Sequence, residues 1–249
     1  MDEALVKQVK LNQNQIKAFY VDGFAQRQID HFVLLTGAHN LANDLKVVDI
    51  GGGCGFFAIG LHKAIGCPVR VIDSDAQSIA ACAGYKLEGV ESELGDALNP
   101  RISGDEGVVC FNLILHHLIG DNEAETTLLQ ANALKTWQGH SQYVFVNEYI
   151  YDSYLGDMSG RLIYEVTKSP LLSAIGRIVS RFLPSLRVNT FGVGVRFRSH
   201  DEWLRLFEAW GFDVVGKVRS EPDKGSVFLR ALLLVRESRK DSFLLKTKN

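Results

Sequence analysis

The chain has 249 residues, a formal net charge of −2 and 46% hydrophobic residues, enough apolar material for one large core or for a core with a small subdomain. This charge balance gives no sign of a protein built to bind nucleic acid or an acidic membrane. Apolar runs such as "ALLLV" at 231–235 fall far short of a membrane span, and the charged amino terminus has no apolar signal core. We therefore expect a cytoplasmic protein with no membrane partner.

The four cysteines stand alone in the sequence. They show no CxxC pair and no metal-ligand spacing, and they occupy positions 54, 67, 82 and 110. This pattern is typical of reduced thiols in a cytosolic protein, so the sequence predicts neither disulfides nor a metal site.

The region before Lys46 has helical spacing, and we assign residues 1–45 to N-terminal helices. From Lys46 onward, β-rich runs and helical runs alternate. The runs predict strands over 47–50, 68–73, 107–115 and 141–150, and helices over 56–66, 76–87 and 122–137. Such alternation indicates βαβ units and a parallel sheet with helices on both faces.

The segment 151–198 interrupts this alternation with aromatic and basic residues. Within it, "GRLIYEVTK" and "LLSAIGRIVSRFL" predict amphipathic helices that, with the N-terminal helices, cap the carboxyl edge of the sheet. A helix over 200–211 follows, with Ser199 and Glu202 as a capping box. Strands over 213–218 and 226–236 are then predicted to form an antiparallel hairpin at the sheet edge.

The stretch from Val47 to Ala58 reads "VVDIGGGCGFFA", a short buried strand followed by four glycines around one cysteine. Glycine lets another molecule approach the main chain closely. In one frame the loop satisfies only the weak G-x-G-x-x-A form of a dinucleotide site. In the other frame it is an acid followed by glycines at every second position. This resembles the first motif of class I S-adenosylmethionine-dependent methyltransferases, which implies a methyltransferase domain over 46–249.

The resemblance continues along the chain at matching positions. "VRVIDSD" ends the second strand with the acid that in this family accepts both ribose hydroxyls, "LGDAL" supplies the acid near the adenine, and "CFNLILHHL" matches the fourth-strand pattern. It implies a Rossmann-like sheet of seven mostly parallel strands with an antiparallel last strand, and S-adenosylmethionine as cofactor. The cofactor-binding residues that it implies are Asp49, Gly51, Gly53, Gly55, Asp73, Ser74, Asp96, Ala97, Phe111 and Asn112.

The histidine pair after the fourth strand resembles the "LHDW" site of small-molecule O-methyltransferases, where the histidine is the base. The resemblance implies His116 as general base, with His117 and the strand-end acid Glu148 on the acceptor side. The residues before Lys46 are too few for the N-terminal winged-helix domain of that subset, so we do not expect one here. Many methyltransferases also carry such a pair as pocket wall or as buried hydrogen-bonded histidines, and this alternative stays open for His116 and His117.

The acceptor site is expected to include Tyr149, Tyr151, Arg161 and Arg198, which lie near the strand end or the helix cap in sequence. Aromatic rings and positive charge suit a small-molecule acceptor with an aromatic or anionic portion. The absence of an NPPY-type sequence argues against methylation of nucleic acid bases. Capped methyltransferases often form homodimers through their N-terminal helices, but no feature of this sequence decides the oligomeric state.

The favoured function is S-adenosylmethionine-dependent methyl transfer to a small molecule, with a hydroxyl oxygen as acceptor because of His116. Carbon or nitrogen methylation is the alternative within the same class. A cofactor-binding protein without transfer activity, and a nicotinamide-dependent oxidoreductase, stay open as other classes.

Overall fold

The structure is a computed structural model that describes residues 25–39, 41, 45–169, 194–223 and 227–248. Within these ranges the chain forms seven strands and seven α-helices. The strands are β1 (Lys46–Ile50), β2 (Val69–Asp73), β3 (Val90–Leu94), β4 (Glu106–Asn112), β5 (Tyr143–Ser153), β6 (Phe212–Arg219) and β7 (Val235–Thr247). The helices are α1 (Gln26–Gly37), α2 (Phe56–Ile65), α3 (Ala76–Gly84), α4 (Glu123–Lys135), α5 (Met158–Lys168), α6 (His200–Ala209) and α7 (Val227–Leu232), with a 3₁₀ turn at Leu115–His117 between β4 and α4.

The strands form one sheet in the order β3-β2-β1-β4-β5-β7-β6. Strands β1 to β5 are parallel, whereas β7 is antiparallel to both β5 and β6. This confirms the predicted fold class, including the antiparallel last strand. The chain order reverses at β1, which has β2 on one side and β4 on the other. In open α/β sheets this reversal marks the crevice where a ligand binds, beyond the carboxyl ends of the strands.

Apolar side chains fill both faces of the sheet, as expected for parallel strands that are buried on two sides. Helices α4 and α6 pack on one face, over a cluster that includes Phe111, Trp137, Trp203 and Phe243. Helices α1 and α2 pack on the other face, over a cluster that includes Phe32, Phe57, Phe145 and Leu244. Neighbouring residues of β5 divide between the two clusters, as the twofold period of a strand requires.

Helix α1 belongs to this second layer rather than to a cap. Its Phe32 ring meets the Phe145 ring of β5 at 5.3 Å between centroids, and its Gln28 side chain donates to the side-chain oxygen Oδ1 of Asn147 at 3.2 Å. The described part of the predicted N-terminal cap therefore packs on a face of the sheet. Residues 1–24 lie outside the described ranges, as does the second insertion helix, which is predicted over 171–183. The first insertion helix, predicted from "GRLIYEVTK", is confirmed as part of α5.

The prediction for the last strand is wrong. Residues 227–232 form the short helix α7, and β7 begins only at Val235. A leucine-rich run of this length fits a helix or a strand equally well. The centre of β7 does not read as a buried strand because it carries Arg239 and Asp241, yet both side chains are buried, paired with each other and with polar neighbours. A buried charged strand gives no apolar signal in the sequence.

The amino end of α6 is capped as predicted, but by one side chain only. The Ser199 hydroxyl accepts from the Glu202 N–H at 3.1 Å. The Glu202 carboxylate, which would complete a capping box, accepts instead from Arg196 and Arg198.

Candidate functional site

The glycine loop joins β1 to α2 in a sharp turn at the carboxyl edge of the sheet. Gly51, Gly53 and Gly55 have φ angles of 68°, 55° and 76°, in the left-handed region that side chains disfavour. Gly55 serves as the residue before the first turn of α2. Glycine thus stands at every second position of the loop, where the backbone adopts a conformation that other residues rarely adopt. Without side chains at these positions, a ligand can approach the main chain.

An open cleft of about 200 Å³ lies beside this loop. It is lined by Gly51, Ile72, Asp73, Ser74, Gly95, Ala97 and Ile114. The fold therefore brings together four of the predicted cofactor residues, which come from the ends of three different strands.

Asp73 is the charged group of this cleft. One carboxylate oxygen accepts from the Gly53 N–H at 2.9 Å, and the other accepts from the Asp75 N–H at 2.8 Å. Burial raises the pKa of Asp73, and these backbone donors oppose the shift. Each carboxylate oxygen can accept a further hydrogen bond. The carboxylate is thus fixed in place while it retains capacity for donors from a ligand.

Three further predicted cofactor residues lie around the cleft in different ways. Asp96 is exposed and accepts from the Leu98 N–H at 2.9 Å, next to the cleft residue Ala97. Phe111 is fully buried in the core, so only its main chain reaches the carboxyl edge. Asn112 ends β4 and donates through Nδ2 to the Asp49 carboxylate at 3.1 Å.

Asp49 is a fully buried carboxylate in β1, two residues before the cleft residue Gly51. Burial raises its pKa from an ordinary 3.8 to about 7, against the opposing hydrogen bond from Asn112. Among the described residues, neither its oxygen Oδ2 nor Oδ1 of Asn112 has a hydrogen-bond partner. Buried polar atoms without partners are rare in folded proteins. Two such acceptors side by side fit a ligand that brings a cationic donor.

His116, in the turn that follows β4, and Glu148, in the middle of β5, form a buried pair. Nδ1 of His116 lies 2.7 Å from one Glu148 oxygen, while the other oxygen accepts from the Leu115 N–H at 2.7 Å. Glu148 is fully buried and His116 is 4% exposed. Glu148 was predicted on the acceptor side, but its carboxylate faces the histidine instead. The pairing orients the ring and leaves Nε2 as the other nitrogen for proton transfer.

The His116 ring belongs to an aromatic cluster, formed with His117, Tyr149, Tyr151 and Phe197. His117 lies 4.1 Å and Phe197 lies 4.9 Å from His116 between ring centroids, and Tyr149 meets it edge-on at 5.6 Å. Tyr151 stacks on Phe197 at 4.5 Å. The fold thus gathers three of the predicted acceptor-side residues around the predicted base. His117 is the most exposed residue of the cluster, although burial lowers the pKa of its imidazole well below the usual value.

Phe197 was not predicted. The only signal for it is the alternation in "RFR" at 196–198, which places one ring between two charges in an extended segment. Nothing in that pattern says which element the ring faces.

The prediction that Arg198 contacts an acceptor does not fit its geometry. Its guanidinium is buried and donates to the buried side chains of Gln130 and Glu202. It also donates to Glu123 and Thr127, which are partly exposed. Arg161 lies on the exposed side of α5. Arg198 is thus part of the framework, and an acceptor role for Arg161 stays a prediction.

A larger groove, of about 430 Å³, lies at the opposite edge of the sheet, by the start of β1. Its walls are mainly apolar, and none of the predicted site residues lines it. In the parts of the chain that the structure describes, no helix has both the length and the apolar character needed to cross a membrane. All four cysteines are buried free thiols.

No protein-family model matches the chain, and no curated protein matches its sequence. Solved structures do resemble it. An S-adenosylmethionine-dependent methyltransferase from Clostridium acetobutylicum ATCC 824 has a TM-score of 0.59 at 10% identity, covering 95% of this chain and 99% of that chain.

Two other solved structures have similar scores. Geranyl diphosphate C-methyltransferase from Streptomyces coelicolor A3(2), in complex with Mg²⁺, geranyl diphosphate and S-adenosyl-L-homocysteine, has a TM-score of 0.56 at 12% identity, over 99% and 88% of the two chains. The (4+2)-cyclase SpnF has a TM-score of 0.57 at 12% identity, over 89% and 81%. At such low identity these likenesses show a shared Rossmann-like methyltransferase fold, which also carries a protein named as a cyclase.

Proposed function

We propose that this protein binds S-adenosylmethionine and transfers its methyl group to a small molecule. The observation that carries the proposal is the Asp73 carboxylate, held at the end of β2 by the glycine-loop N–H of Gly53 in a cleft at the point where the strand order reverses. The S-adenosyl-L-homocysteine in the geranyl diphosphate C-methyltransferase, which shares this fold, supports the same ligand class.

The residues around the cleft fit this cofactor chemically. Asp73 has acceptor capacity for the two ribose hydroxyls, and Ala97 with Asp96 lies on the loop where the resemblance puts the adenine. The unpartnered oxygens of Asp49 and Asn112 suit the ammonium group of the methionine part. When bound, the cofactor supplies an electrophilic methyl group on a sulfonium, so positioning of the acceptor contributes much of the rate.

His116 is the proposed general base, and a hydroxyl is the proposed acceptor group. Glu148 holds Nδ1 of His116, so that Nε2 can take the proton of an acceptor hydroxyl. Tyr149, Tyr151 and the exposed His117 provide aromatic surface for a planar acceptor. Arg161 is proposed as an outer contact for an anionic group. These roles place the acceptor on the aromatic cluster, next to the turn that follows β4.

Calorimetric titration with S-adenosylmethionine and S-adenosylhomocysteine tests the cofactor. We expect Asp73→Ala to weaken binding about ten- to a hundredfold, the loss for about 1.5 to 3 kcal/mol of charged hydrogen bonding. Asp75→Ala is the matched control, because Asp75 caps α3 by accepting from the Ser78 N–H. That variant should lose about 1 kcal/mol of stability with much less effect on affinity. No binding by the wild type would refute the proposal.

A second candidate is a cofactor-binding protein in which His116 is only a wall of the site. The observation that favours it is the low exposure of His116 inside the aromatic cluster. Incubation of the purified protein with radiolabelled S-adenosylmethionine and a screen of small-molecule acceptors separates the two candidates, because only a methyltransferase forms labelled product. Labelled product that forms only with carbon or nitrogen nucleophiles would leave the cofactor role intact and reject the hydroxyl acceptor.

A further inference from the structure

The ring that packs closest to the His116 imidazole from a distant part of the chain is Phe197. Its centroid lies 4.9 Å from that of His116, with 32° between the planes. It also contacts Tyr149 edge-on at 5.8 Å and stacks on Tyr151. Phe197 is therefore the ring that links the proposed base to both tyrosines of the aromatic cluster.

The residues on either side of Phe197 are buried arginines whose side chains go to the other side of the segment. Arg196 donates to Glu123 at 2.8 Å and to Glu202 at 2.7 Å. Arg198 donates to Gln130 at 2.8 Å, to Thr127 at 2.9 Å and to both glutamates. In an extended segment successive side chains alternate, so the two arginines in the interior fix Phe197 on the side of the cluster.

This arginine pair, Arg196 and Arg198, is 0% and 1% exposed. Two carboxylates, Glu123 and Glu202, balance the two guanidinium charges. Buried ion pairs can often be replaced by apolar residues without loss of stability, because desolvation offsets the attraction between the charges. A contribution to stability is therefore not the only reason for such a pair, and a fixed local conformation is another.

The main chain of the segment is also tied to the site. The Arg196 N–H donates to the His116 carbonyl oxygen at 3.0 Å, and the Tyr151 N–H donates to the Arg198 carbonyl oxygen at 3.1 Å. On the outer side, α5 approaches through Gly160 so closely that a Cβ there would overlap the Phe197 carbonyl oxygen. Phe197 is therefore held from three directions relative to His116.

We propose that Phe197 is a positioning residue for His116. Its ring restricts rotation of the imidazole, so that Nδ1 stays on Glu148 and Nε2 keeps one direction. The arginine pair holds Phe197 in place and therefore acts on His116 only indirectly, through the Phe197 ring. The use of this orientation in proton transfer rests on the proposed function, whereas the restriction of the ring does not.

Nitrogen NMR of the histidine rings in ¹⁵N-histidine-labelled protein tests the proposal without any ligand, with His116→Gln as the assignment variant. In the wild type we expect one tautomer of His116, protonated on Nδ1. Phe197→Leu should broaden or average the two nitrogen signals, and Phe197→Tyr, which keeps the ring, should restore them. Unchanged His116 signals in Phe197→Leu would overturn the proposal.

The matched control is Phe243→Leu. Phe243 lies 5.1 Å from the His200 ring at 37°, and His200 is paired with Asp241 at 2.7 Å through Nδ1. His200 is thus a second buried histidine that pairs with a carboxylate and packs against a tilted phenylalanine ring. The control should change His200 signals and leave those of His116 as they are. Equal changes at His116 in both variants would mean a general loss of packing and would overturn the proposal.

A parallel titration with S-adenosylhomocysteine separates this inference from the proposed function. A wild type that binds none refutes the cofactor, while the histidine signals still decide the positioning. With an acceptor in hand, Phe197→Leu should lower kcat about tenfold or more, with cofactor affinity unchanged. If Phe197→Leu does not fold, as judged by circular dichroism, Phe197→Met keeps the volume without the flat ring and takes its place.

Discussion

Glu148 binds the turn that follows β4 at two points, because its carboxylate pairs with Nδ1 of His116 at 2.7 Å and accepts from the Leu115 N–H at 2.7 Å. A single buried acid thus fixes both the ring and the main chain that carries it. Gln130 of α4 adds a third tie, since its amide donates to the Leu115 carbonyl oxygen at 2.9 Å. The turn is held by side chains from two other elements.

His116→Gln should lower turnover of a hydroxyl acceptor about a hundred- to ten-thousandfold, because it removes the proposed base. Affinity for S-adenosylhomocysteine should change little. The measurement is formation of S-adenosylhomocysteine in a coupled assay. His200→Gln is the control, since His200 forms a comparable pair with Asp241 and its buried Nε2 has no partner within the described part of the chain. Activity that survives in His116→Gln and not in His200→Gln would contradict the role of His116.

Asp49 should make cofactor binding depend on pH. Its pKa of about 7 in the folded protein means that a bound ammonium group, which favours the carboxylate, displaces a proton at lower pH. Affinity for S-adenosylhomocysteine should therefore rise as the pH increases toward about 7 and level off above it. Calorimetry at several pH values, in buffers of different ionisation enthalpy, measures the released proton. Asp49→Asn should remove the pH dependence and weaken binding.

Asp49 should also lower the stability of the ligand-free protein at high pH. A carboxyl group with a raised pKa favours the folded state when it is protonated. That contribution is complete below the unfolded pKa of about 4 and is lost as the pH rises through about 7. Asp49→Asn, which carries no charge, should therefore raise the melting temperature at pH of about 8. A lower melting temperature there would show that the carboxylate is stabilising.

Gln130→Met should destabilise the fold and disturb the His116 turn. Gln130 is fully buried, accepts from Arg198 and donates to the Leu115 carbonyl oxygen. Methionine has a similar shape but leaves the Arg198 Nε–H without its acceptor, at a cost of about 2 to 3 kcal/mol. The Leu115 carbonyl oxygen loses one of its two donors and keeps the Leu118 N–H. Urea unfolding measures this. Thr127→Val removes one bond to the same arginine and should cost about 1 kcal/mol. Equal losses of unfolding free energy in the two variants would contradict a larger contribution of Gln130 to stability.

Gly160→Ala should destabilise the protein by about 1 to 3 kcal/mol through overpacking, although alanine is the better helix former. The added Cβ would meet the Phe197 carbonyl oxygen and the Arg196 guanidinium. Gly84→Ala is the control, because a Cβ at that position of α3 meets no atom within 4 Å. The melting temperature should therefore fall in Gly160→Ala and should rise or stay unchanged in Gly84→Ala. A stable Gly160→Ala protein would mean that α5 is free to shift.

The sequence by itself determined the parallel strands β1, β2, β4 and β5, the glycine loop and the acid at the end of β2. Strand and helix periodicities are local, and so is the requirement for glycine at positive φ, so "VVDIGGGCGFFA" and "VRVID" carry their structure within a few residues. The order of these motifs then placed Gly51, Asp73 and Ala97 in one cleft, because parallel strands end at the same edge.

The tertiary structure alone decided which charged and aromatic residues face the site. Arg198 and Phe197 are neighbours in sequence, yet the arginine points into the interior and the ring packs against His116. Strand β7 was missed for the same reason, since its buried Arg239 and Asp241 are satisfied by residues far away in the chain. Whether a polar side chain is buried depends on partners that folding brings from a distance, and no local pattern contains them.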